Sequence, residues 1–210
     1  FGVDPARLSV LHNGVDSALF KPLPHVQRQP CQIMATASAD TPTKGLHILL
    51  AAAARLVGSY PALGLTLIGK PRPGGDIERL VSSLNLHDRI RWVSNVDHET
   101  IVDLYAQSTI AVVPSLYEGF GLPAVEAMAC GIPLISSDGG ALAEVVGSGG
   151  RIVPAGDVEA LTCALDDWLS DAGARDEWGR RARARVEAHF CWDICAERLV
   201  NDYRQRVLAC

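Results

Sequence analysis

The sequence lacks the patterns that mark several common classes of protein. No apolar run approaches the roughly 20 residues that a membrane-spanning helix needs, and no signal-peptide pattern stands at its start. The six histidines are scattered without metal-ligand spacing, and neither a Cys-x-x-Cys nor an Asp-x-Asp motif occurs. The net charge is −5 and the pI is near 5.6, which argues against a broad nucleic-acid-binding surface. We therefore expect no membrane span, no bound metal and no nucleic-acid partner.

Cysteine is present, but without a pattern that indicates disulfide pairing or metal binding. Cys31, Cys130 and Cys163 stand in apolar runs, so we expect them to be small hydrophobic residues of the core. Cys191 and Cys195 are one helical turn apart, a spacing that aligns them on a helix but does not establish a disulfide. This cysteine usage favours a reducing compartment, and we predict a cytoplasmic location.

The composition is that of a folded protein. Hydrophobic residues make up 48% of the 210 residues and the mean hydropathy is +0.14, with no signature of disorder. This length suits one large domain or two small ones. The first five residues, FGVDP, are typical of the middle of a chain, so we expect a domain of a longer protein. A basic run of Arg180, Arg181, Arg183 and Arg185 is interpreted as the solvated face of a helix.

Short apolar runs alternate with amphipathic runs along most of the chain. This alternation predicts βαβ units, and hence an α/β fold with a doubly wound parallel sheet of about six strands and helices on both faces. Ligands of such sheets bind outside the carboxyl ends of the strands, near the point where the strand order reverses. The predicted strands cover 31–37, 64–69, 89–93, 110–114, 133–137 and 151–154. The predicted helices cover 45–58, 75–86, 98–107, 123–130, 140–146, 157–170, 173–190 and 193–208.

One strand-to-helix junction carries the strongest chemical signal. The strand at 110–114 is followed by a glycine-rich turn and by Pro123, which fits the first turn of a helix because an N–H there would have no helical partner. Free N–H groups and the positive end of the helix dipole at such a turn favour an anion, typically a phosphate. Glu118 and Glu126 flank the turn, and ionised carboxylates need donors such as sugar hydroxyls. A nucleotide-sugar carries both groups, so the pattern favours this class of ligand.

The same turn formally matches a second class of ligand. Gly119-x-Gly121-x-x-Ala124, with Asp138 about 20 residues further on, has the form of a dinucleotide-binding fingerprint. Three features oppose an NAD-dependent oxidoreductase. Three βα units precede this turn, whereas the fingerprint usually lies on the first; Pro123 occupies a position within the turn; and the flanking glutamates would repel a pyrophosphate. An NAD-dependent oxidoreductase is the weakest alternative that the sequence leaves open.

The region around this turn resembles the donor-site signature of retaining glycosyltransferases of the GT-B fold, family 4 or group 1. The likeness rests on PSLYEGFGLP at 114–123, EAMACGIP at 126–133 and DGG at 138–140. Upstream, NGVD at 13–16 and FKP at 20–22 are similar to the hinge of that family.

The resemblance covers most of the chain and implies a domain organisation. It predicts an interdomain linker or hinge at 1–24, a Rossmann-like domain at 25–190 that binds the donor, and a C-terminal helix at 191–210. The Rossmann-like domain would be one half of a GT-B fold. The last helix would either cover the sheet edge or pack toward the other domain.

The resemblance also assigns roles to individual positions. Glu118 would accept hydrogen bonds from the donor sugar, and Lys44 would neutralise the departing diphosphate; these two are the predicted catalytic residues. The family usually has an arginine five residues before this lysine, and Ala39 stands there instead. This departure either weakens diphosphate binding or moves the second phosphate contact to the hydroxyl of Ser38. The predicted donor-binding residues are Ser38 at the phosphate, Asn95 and Val96 near the base, the backbone of Phe120, Gly121 and Leu122, and Glu126 at the ribose.

The activity implied by the resemblance is transfer of a sugar from a nucleoside diphosphate to an acceptor hydroxyl with retention of configuration. It would need no metal or other cofactor, and the donor would be a UDP- or GDP-sugar. The acceptor would bind an N-terminal domain of the same enzyme, so the donor domain alone would transfer little or nothing. A lipid acceptor would place the whole enzyme at the inner face of a membrane. A nucleotide-binding module without turnover and a sugar-nucleotide epimerase of the GT-B fold stay open as alternatives.

Overall fold

The computed structural model describes residue 2, residues 8–36 and residues 41–206, with only the backbone at Arg206. Its centre is one sheet of six parallel strands. The strands are β1 (Gln32–Thr36), β2 (Gly64–Ile68), β3 (Ile90–Val93), β4 (Ile110–Val113), β5 (Leu134–Ser137) and β6 (Arg151–Val153).

Helices connect the strands and continue beyond the last one. Three helices begin at an aspartate whose side chain accepts a hydrogen bond from the N–H three residues further on, namely those capped by Asp97, Asp157 and Asp171. Within the described residues, no helix is both long and apolar enough to cross a bilayer. The helices are α1 (Leu46–Leu56), α2 (Asp76–Ser83), α3 (His98–Gln107), α4 (Leu122–Ala129), α5 (Leu142–Val146), α6 (Val158–Ser170), α7 (Ala172–His189) and α8 (Trp192–Arg206).

The strand order across the sheet is β3-β2-β1-β4-β5-β6. β1 and β4 are therefore neighbours, with Ile33 opposite Ile110, although two strands lie between them in the chain. The order reverses at this pair, which makes it the topological switch point of the sheet.

The two faces of the sheet carry separate parts of the core, because successive side chains of a strand point to opposite faces. In β4, Ile110 and Val112 pack with α1, α2 and α6. Ala111 and Val113 pack with α3, α4, α5 and α7. All four side chains are buried, as expected for a strand covered on both faces.

The predicted α/β fold, with its doubly wound sheet, is confirmed. Every predicted strand and helix is present, with ends that differ by a few residues. The last residue of the predicted strand at 31–37 and the last two residues of the predicted helix at 193–208 lie outside the described residues.

The prediction that Cys163 belongs to the core is wrong. The buried stripe of α6 is formed by Leu161, Leu165 and Trp168, and Cys163 lies on the exposed side of the helix. An apolar run is therefore not sufficient to place a small residue inside, because helical periodicity decides which face is buried. Cys130 is buried as predicted, and Cys31 is half-buried at the start of β1.

The arginine run on α7 is only partly the solvated face that we predicted. Arg180 and Arg181 lie at the surface and pair with one glutamate of the same helix. Arg183 and Arg185 instead turn inward and donate to backbone carbonyl oxygens of α4 and α5. The last carbonyls of a helix lack helical partners, so these two guanidinium groups satisfy acceptors that would otherwise be unpaired.

The segment before β1 is attached to the domain. Val15 and Phe20 are buried, and the N–H of Val15 donates to the carbonyl of Phe190 at 2.7 Å. The guanidinium of Arg183 donates to the carbonyl oxygen of Phe20 at 2.9 Å. The stretch from Val15 to Phe20 therefore packs on α7 and on the chain just after it.

Helix α8 contacts the end of α7, where Arg198 donates to the carbonyl oxygens of Ala188 and His189, and it leaves large apolar side chains exposed. We call this exposed apolar set the α8 patch. It consists of four side chains of the helix and two of the segment that precedes β1, all of them large and hydrophobic: Trp192, Leu199, Val200, Tyr203, Leu8 and Val10.

Candidate functional site

The candidate site lies at the switch point between β1 and β4. α1, which follows β1, packs on one face of the sheet, and α4, which follows β4, packs on the other. The connections therefore diverge and leave a crevice outside the carboxyl ends of these two strands.

Gly45 brings Lys44 to this crevice. Lys44 ends a 3₁₀ turn, and Gly45 follows with a left-handed φ of 66°. A Cβ on Gly45 would overlap the carbonyl oxygen of Pro114, at the end of β4. Only glycine allows both the backbone conformation and this approach. The N–H of Leu116 donates to the carbonyl of Thr43 at 2.7 Å, which joins the two connections directly.

The loop that carries Glu118 is shaped by Gly139 and Gly140. The N–H of Glu118 donates to the carbonyl of Gly139 at 3.3 Å, and the N–H of Ala141 donates to the carbonyl of Glu118 at 2.9 Å. A Cβ on Gly139 would lie 2.5 Å from the carbonyl oxygen of Ser115, and one on Gly140 would overlap the backbone of Glu118. The segment at 138–140 therefore determines the position of Glu118.

Lys44 and Glu118 form an ion pair. The Nζ of Lys44 lies 2.8 Å from Oε1 of Glu118, and the Oγ of Ser115 donates to the same oxygen, also at 2.8 Å. The Glu118 side chain is 12% exposed and that of Lys44 is 32% exposed. The two residues predicted to be catalytic are thus brought together, although 74 positions separate them in the chain.

The start of α4 presents backbone donors to the crevice. Gly121 caps the helix with a left-handed φ of 93°. Within the described part of the chain, the N–H groups of Phe120, Gly121 and Leu122 donate no hydrogen bond. Pro123 follows in the first turn, and its carbonyl accepts a hydrogen bond from the buried hydroxyl of Tyr105 at 3.2 Å. The start of α4 therefore has the unpaired N–H groups that an anion site at a helix start would use.

Glu126 lies further along α4 and is half-buried. Burial raises the pKa of Glu126 above its ordinary value, and the nearby His98 opposes this shift. Among the described residues, none donates a hydrogen bond to its carboxylate. A half-buried carboxylate without a donor is costly, and ligand hydroxyls would supply the missing hydrogen bonds.

Phe120 packs against aromatic neighbours. Its ring centroid lies 5.9 Å from that of Phe190 in an edge-to-face arrangement and 6.1 Å from that of His12. The Nε2 of His12 lies 2.9 Å from a carboxylate oxygen of Glu144 in α5. The ring of Phe120 therefore anchors the loop, while its backbone N–H has no acceptor among the described residues.

Two other predicted donor-binding residues lie at the end of β3. Asn95 adopts a left-handed φ of 56°, a conformation that asparagine tolerates better than most residues. Asn95 and Val96 lead directly into α3, whose first residue is His98, the neighbour of Glu126. Within the described residues, neither Asn95 nor Val96 makes a hydrogen bond or ion pair with Lys44 or Glu118. Ser38 and Ala39 lie outside those residues.

Three residues that support the site were not predicted from the sequence. Ser115 holds Glu118, Tyr105 holds the start of α4, and His98 faces Glu126. The only available signal for Ser115 was its place within the donor-site motif. Tyr105 and His98 belong to α3, which gave no chemical signal in the sequence.

The described residues contain no group of three or more histidine, cysteine or acidic side chains that could hold a metal ion. A cavity of about 490 Å³ opens beside the site, between the starts of α1 and α2. Its lining includes His47, Arg72 and Arg79.

The crevice thus combines a cation, free N–H groups at a helix start and two carboxylates, on an α/β sheet. This combination defines a site for a ligand that carries both an anionic group and hydroxyl groups. Residues 25–185 match the family model described as "Glycosyl transferases group 1". The chain therefore belongs to the group 1 glycosyltransferases.

Individual relatives agree with this assignment. The MMP α-(1→4)-mannosyltransferase of Mycolicibacterium hassiacum is 40% identical over 100% of this chain and 52% of its own length. The structure of sucrose-phosphate synthase from Thermosynechococcus elongatus superposes with a TM-score of 0.79 at 33% identity, over 96% of this chain and 53% of that one.

A third comparison concerns the fold alone. The structure of Anabaena Alr3699/HepE in complex with UDP-glucose has a TM-score of 0.82 at 21% identity, over 97% of this chain and 59% of that one. The chain thus spans about half the length of the relatives that it matches.

Proposed function

We propose that this chain is the C-terminal, donor-binding domain of a retaining hexosyltransferase that needs no metal ion. The observation that carries the proposal is the convergence of Lys44, Glu118 and the open N–H groups of the α4 start at the switch point. Each group has a matching partner on a nucleoside-diphosphate sugar.

The diphosphate would lie between Lys44 and the start of α4. Breaking the bond between the anomeric carbon and the diphosphate oxygen sends its electron pair to the diphosphate and leaves positive charge on the sugar. The acceptor oxygen forms the new bond on the same face of the sugar, and its proton passes to the departing diphosphate. A fixed cation and preorganised N–H donors stabilise the developing negative charge, which is how the site would act without a metal.

The sugar and the nucleoside would lie on either side of the diphosphate. Glu118 would accept from sugar hydroxyls and orient the ring, and orientation of this kind can be worth several kcal/mol of the barrier. Glu126 would accept from the ribose hydroxyls, which would satisfy its unpaired carboxylate. Asn95 and Val96 would meet the base, and Ser38 would contact a phosphate.

We propose mannose as the first sugar to test. The relative from Mycolicibacterium hassiacum is named a mannosyltransferase and is 40% identical to this chain. Among the UDP- and GDP-sugars that the family likeness implies, GDP-mannose is the first donor to test. UDP-glucose is the second, because HepE, which shares the fold, binds it.

A second domain would complete the enzyme. We propose that residues 1–24 are the hinge, that residues 25–190 hold the donor, and that residues 191–210 form the helix that returns toward the acceptor domain. The α8 patch supports this organisation, because it leaves four large apolar side chains of one helix exposed, and exposed apolar surface of this kind is typical of an interaction site. The cysteines of the described residues are all free thiols, which favours the reducing cytoplasm as the location.

Calorimetric titration tests the proposal. The 210-residue chain is titrated with UDP, GDP, ADP and NAD, first without and then with Mg²⁺. We expect saturable binding of one nucleoside diphosphate, unchanged by Mg²⁺, which would also identify the base. Binding of NAD alone would contradict the proposal and would establish the glycine-rich turn as a dinucleotide site.

A product assay separates transfer from the remaining alternatives. The full-length protein is incubated with the donor that binds and with a candidate acceptor, and the configuration of the product is read by NMR. We expect a glycoside with the anomeric configuration of the donor, formed equally well in EDTA. An epimerised nucleotide-sugar would indicate an epimerase, and binding without any product would indicate a module without turnover.

A further inference from the structure

Ser115 is a buried hydroxyl that points at the carboxylate of Glu118. It follows β4 by two residues and is 2% exposed. Its Oγ donates to Oε1 of Glu118 at 2.8 Å, the same oxygen that accepts from Lys44 at 2.8 Å. Two donors thus share one carboxylate oxygen. Among the residues that the structure describes, none donates to the other oxygen, Oε2.

The two donors differ in how firmly they are held. Lys44 is a partly exposed side chain on a flexible four-carbon stem. The backbone of Ser115 is fixed, because its carbonyl accepts from the hydroxyl of Ser137 and has Gly139 packed against it. The next residue, Leu116, donates to Thr43 at 2.7 Å. Ser115 is therefore the rigid anchor of Glu118 and Lys44 is the mobile one.

This difference matters when the donor binds. A diphosphate carries more negative charge than a carboxylate and accepts several hydrogen bonds, so it competes with Glu118 for Lys44. Loss of Lys44 from Glu118 would leave a nearly buried carboxylate with one fewer partner. The hydrogen bond from Ser115 is then what keeps the carboxylate in place.

We propose, on the basis of the donor-site function above, that Ser115 is a positioning residue. It holds Oε1 of Glu118 while Lys44 changes partner from the carboxylate to the diphosphate, so that Oε2 stays directed at the sugar. Ser115 makes no contact with the donor itself. Its effect therefore appears in recognition of the sugar and not in recognition of the nucleotide.

The test compares two affinities in each variant. Calorimetry gives the Kd of GDP and of GDP-mannose, or of UDP and UDP-glucose, for the 210-residue chain. The Kd of the nucleotide divided by the Kd of the nucleotide-sugar measures what the sugar adds to binding, and we call this ratio the sugar increment. In Ser115→Ala we expect this ratio to fall about tenfold, the size of one hydrogen bond to a charged group. The ratio should approach that of Glu118→Ala, while the Kd of the bare nucleotide changes by less than about threefold.

Two further variants separate positioning from packing. Ser115→Cys keeps nearly the same side-chain volume, but a thiol is a weak hydrogen-bond donor. This variant should therefore lose the sugar increment as Ser115→Ala does. Ser115→Thr keeps the hydroxyl and should recover most of the increment. Ser108→Ala is the matched control, because Ser108 is also buried and its hydroxyl donates to a backbone carbonyl at the end of α3, away from the crevice.

Each other outcome overturns the proposal in a distinct way. An unchanged ratio in both Ser115→Ala and Ser115→Cys would mean that Glu118 needs no anchor. Equal losses for the nucleotide and the nucleotide-sugar would mean that Ser115 is only structural. If the wild-type chain binds neither member of either pair, the donor-site function fails, and the proposal fails with it.

Discussion

Gly45 lies directly against the carbonyl oxygen of Pro114, with no space between them for a Cβ atom. This contact joins the connection after β1 to the connection after β4. Because Lys44 immediately precedes Gly45, the contact also determines how close Lys44 comes to Glu118. The chemistry of the site therefore depends on a backbone contact between two residues that have no side-chain role in binding.

Replacement of Gly45 tests this dependence. In Gly45→Ala the new Cβ would be strained by the left-handed φ and would also overlap the carbonyl oxygen of Pro114. We therefore expect the free energy of unfolding to fall by about 2–4 kcal/mol. Urea denaturation measures it. Gly58→Ala is the control, because a Cβ on Gly58 would meet no atom within 4 Å. Equal effects of the two substitutions would contradict the role given to Gly45.

Lys44 should contribute more to the binding of a nucleoside diphosphate than to the binding of a nucleoside monophosphate. We expect Lys44→Ala to weaken binding of a nucleoside diphosphate about tenfold and that of the matching monophosphate less than about threefold, because only the diphosphate would reach Nζ. Calorimetry on both ligands gives the ratio. Lys21→Ala, a change at an exposed lysine of the segment before β1, should leave both constants unchanged. An unaltered ratio in Lys44→Ala would show that its role has been misassigned.

The ionised carboxylate of Glu126 should lower the stability of the fold but favour nucleotide binding. Burial raises its pKa, so the folded protein holds this proton more tightly than the unfolded chain does. The ionised form therefore destabilises the fold above the raised pKa, and stability is gained as the pH falls through it. At pH 7 we expect Glu126→Gln to raise the melting temperature by about 1–3 °C while weakening nucleotide binding. Glu197→Gln, at an exposed position of α8, should change neither. A lower melting temperature for Glu126→Gln would contradict this assignment.

The pH dependence of binding gives a second check on Glu126. Ribose hydroxyls donate to the ionised carboxylate, so nucleotide affinity should fall as the pH drops through the raised pKa of Glu126, which lies above its ordinary 4.5. The phosphates also titrate, but they do so equally in wild type and in Glu126→Gln. The nucleotide affinity of the wild type divided by that of Glu126→Gln should therefore decline as the pH falls. A ratio independent of pH would place the ribose elsewhere.

Arg183 should be a structural residue despite its place in a basic run. It donates to the carbonyl oxygens of Phe20 at 2.9 Å and Ala129 at 2.8 Å. We expect Arg183→Gln to lower the free energy of unfolding by about 1–3 kcal/mol, since buried acceptors lose a charged donor. Arg180→Gln, at an exposed arginine of the same helix, should cost less than about 0.5 kcal/mol. Similar values for both variants would contradict this assignment.

The fold could be predicted from the sequence because its signals are local. Each strand is a short run of three to five residues with at least two apolar side chains, and Pro123 and Gly121 mark the start of α4 from neighbouring positions alone. Cys163 was misplaced because its neighbours are apolar while its own position on the helix faces outward. The inward turn of Arg183 was missed because its acceptors lie far away in the chain.

The site could be predicted only in part, since motifs identify residues but not their partners. The motif indicated Glu118, and the family likeness indicated Lys44, yet their ion pair exists only because β1 and β4 are adjacent. Ser115 lies only three residues from Glu118, inside the same motif, but its hydrogen bond to the carboxylate depends on how the loop folds. The Lys44–Glu118 pair has no counterpart in local sequence.

A crystal structure of the chain with its bound nucleoside diphosphate tests the location of the donor site most directly. We predict that the diphosphate lies between Lys44 Nζ and the N–H groups of Phe120 to Leu122, with the ribose hydroxyls at Glu126. A nucleotide bound instead in the cavity lined by Arg72 and Arg79, with Lys44 and Glu118 still paired and no ligand between them, would contradict it.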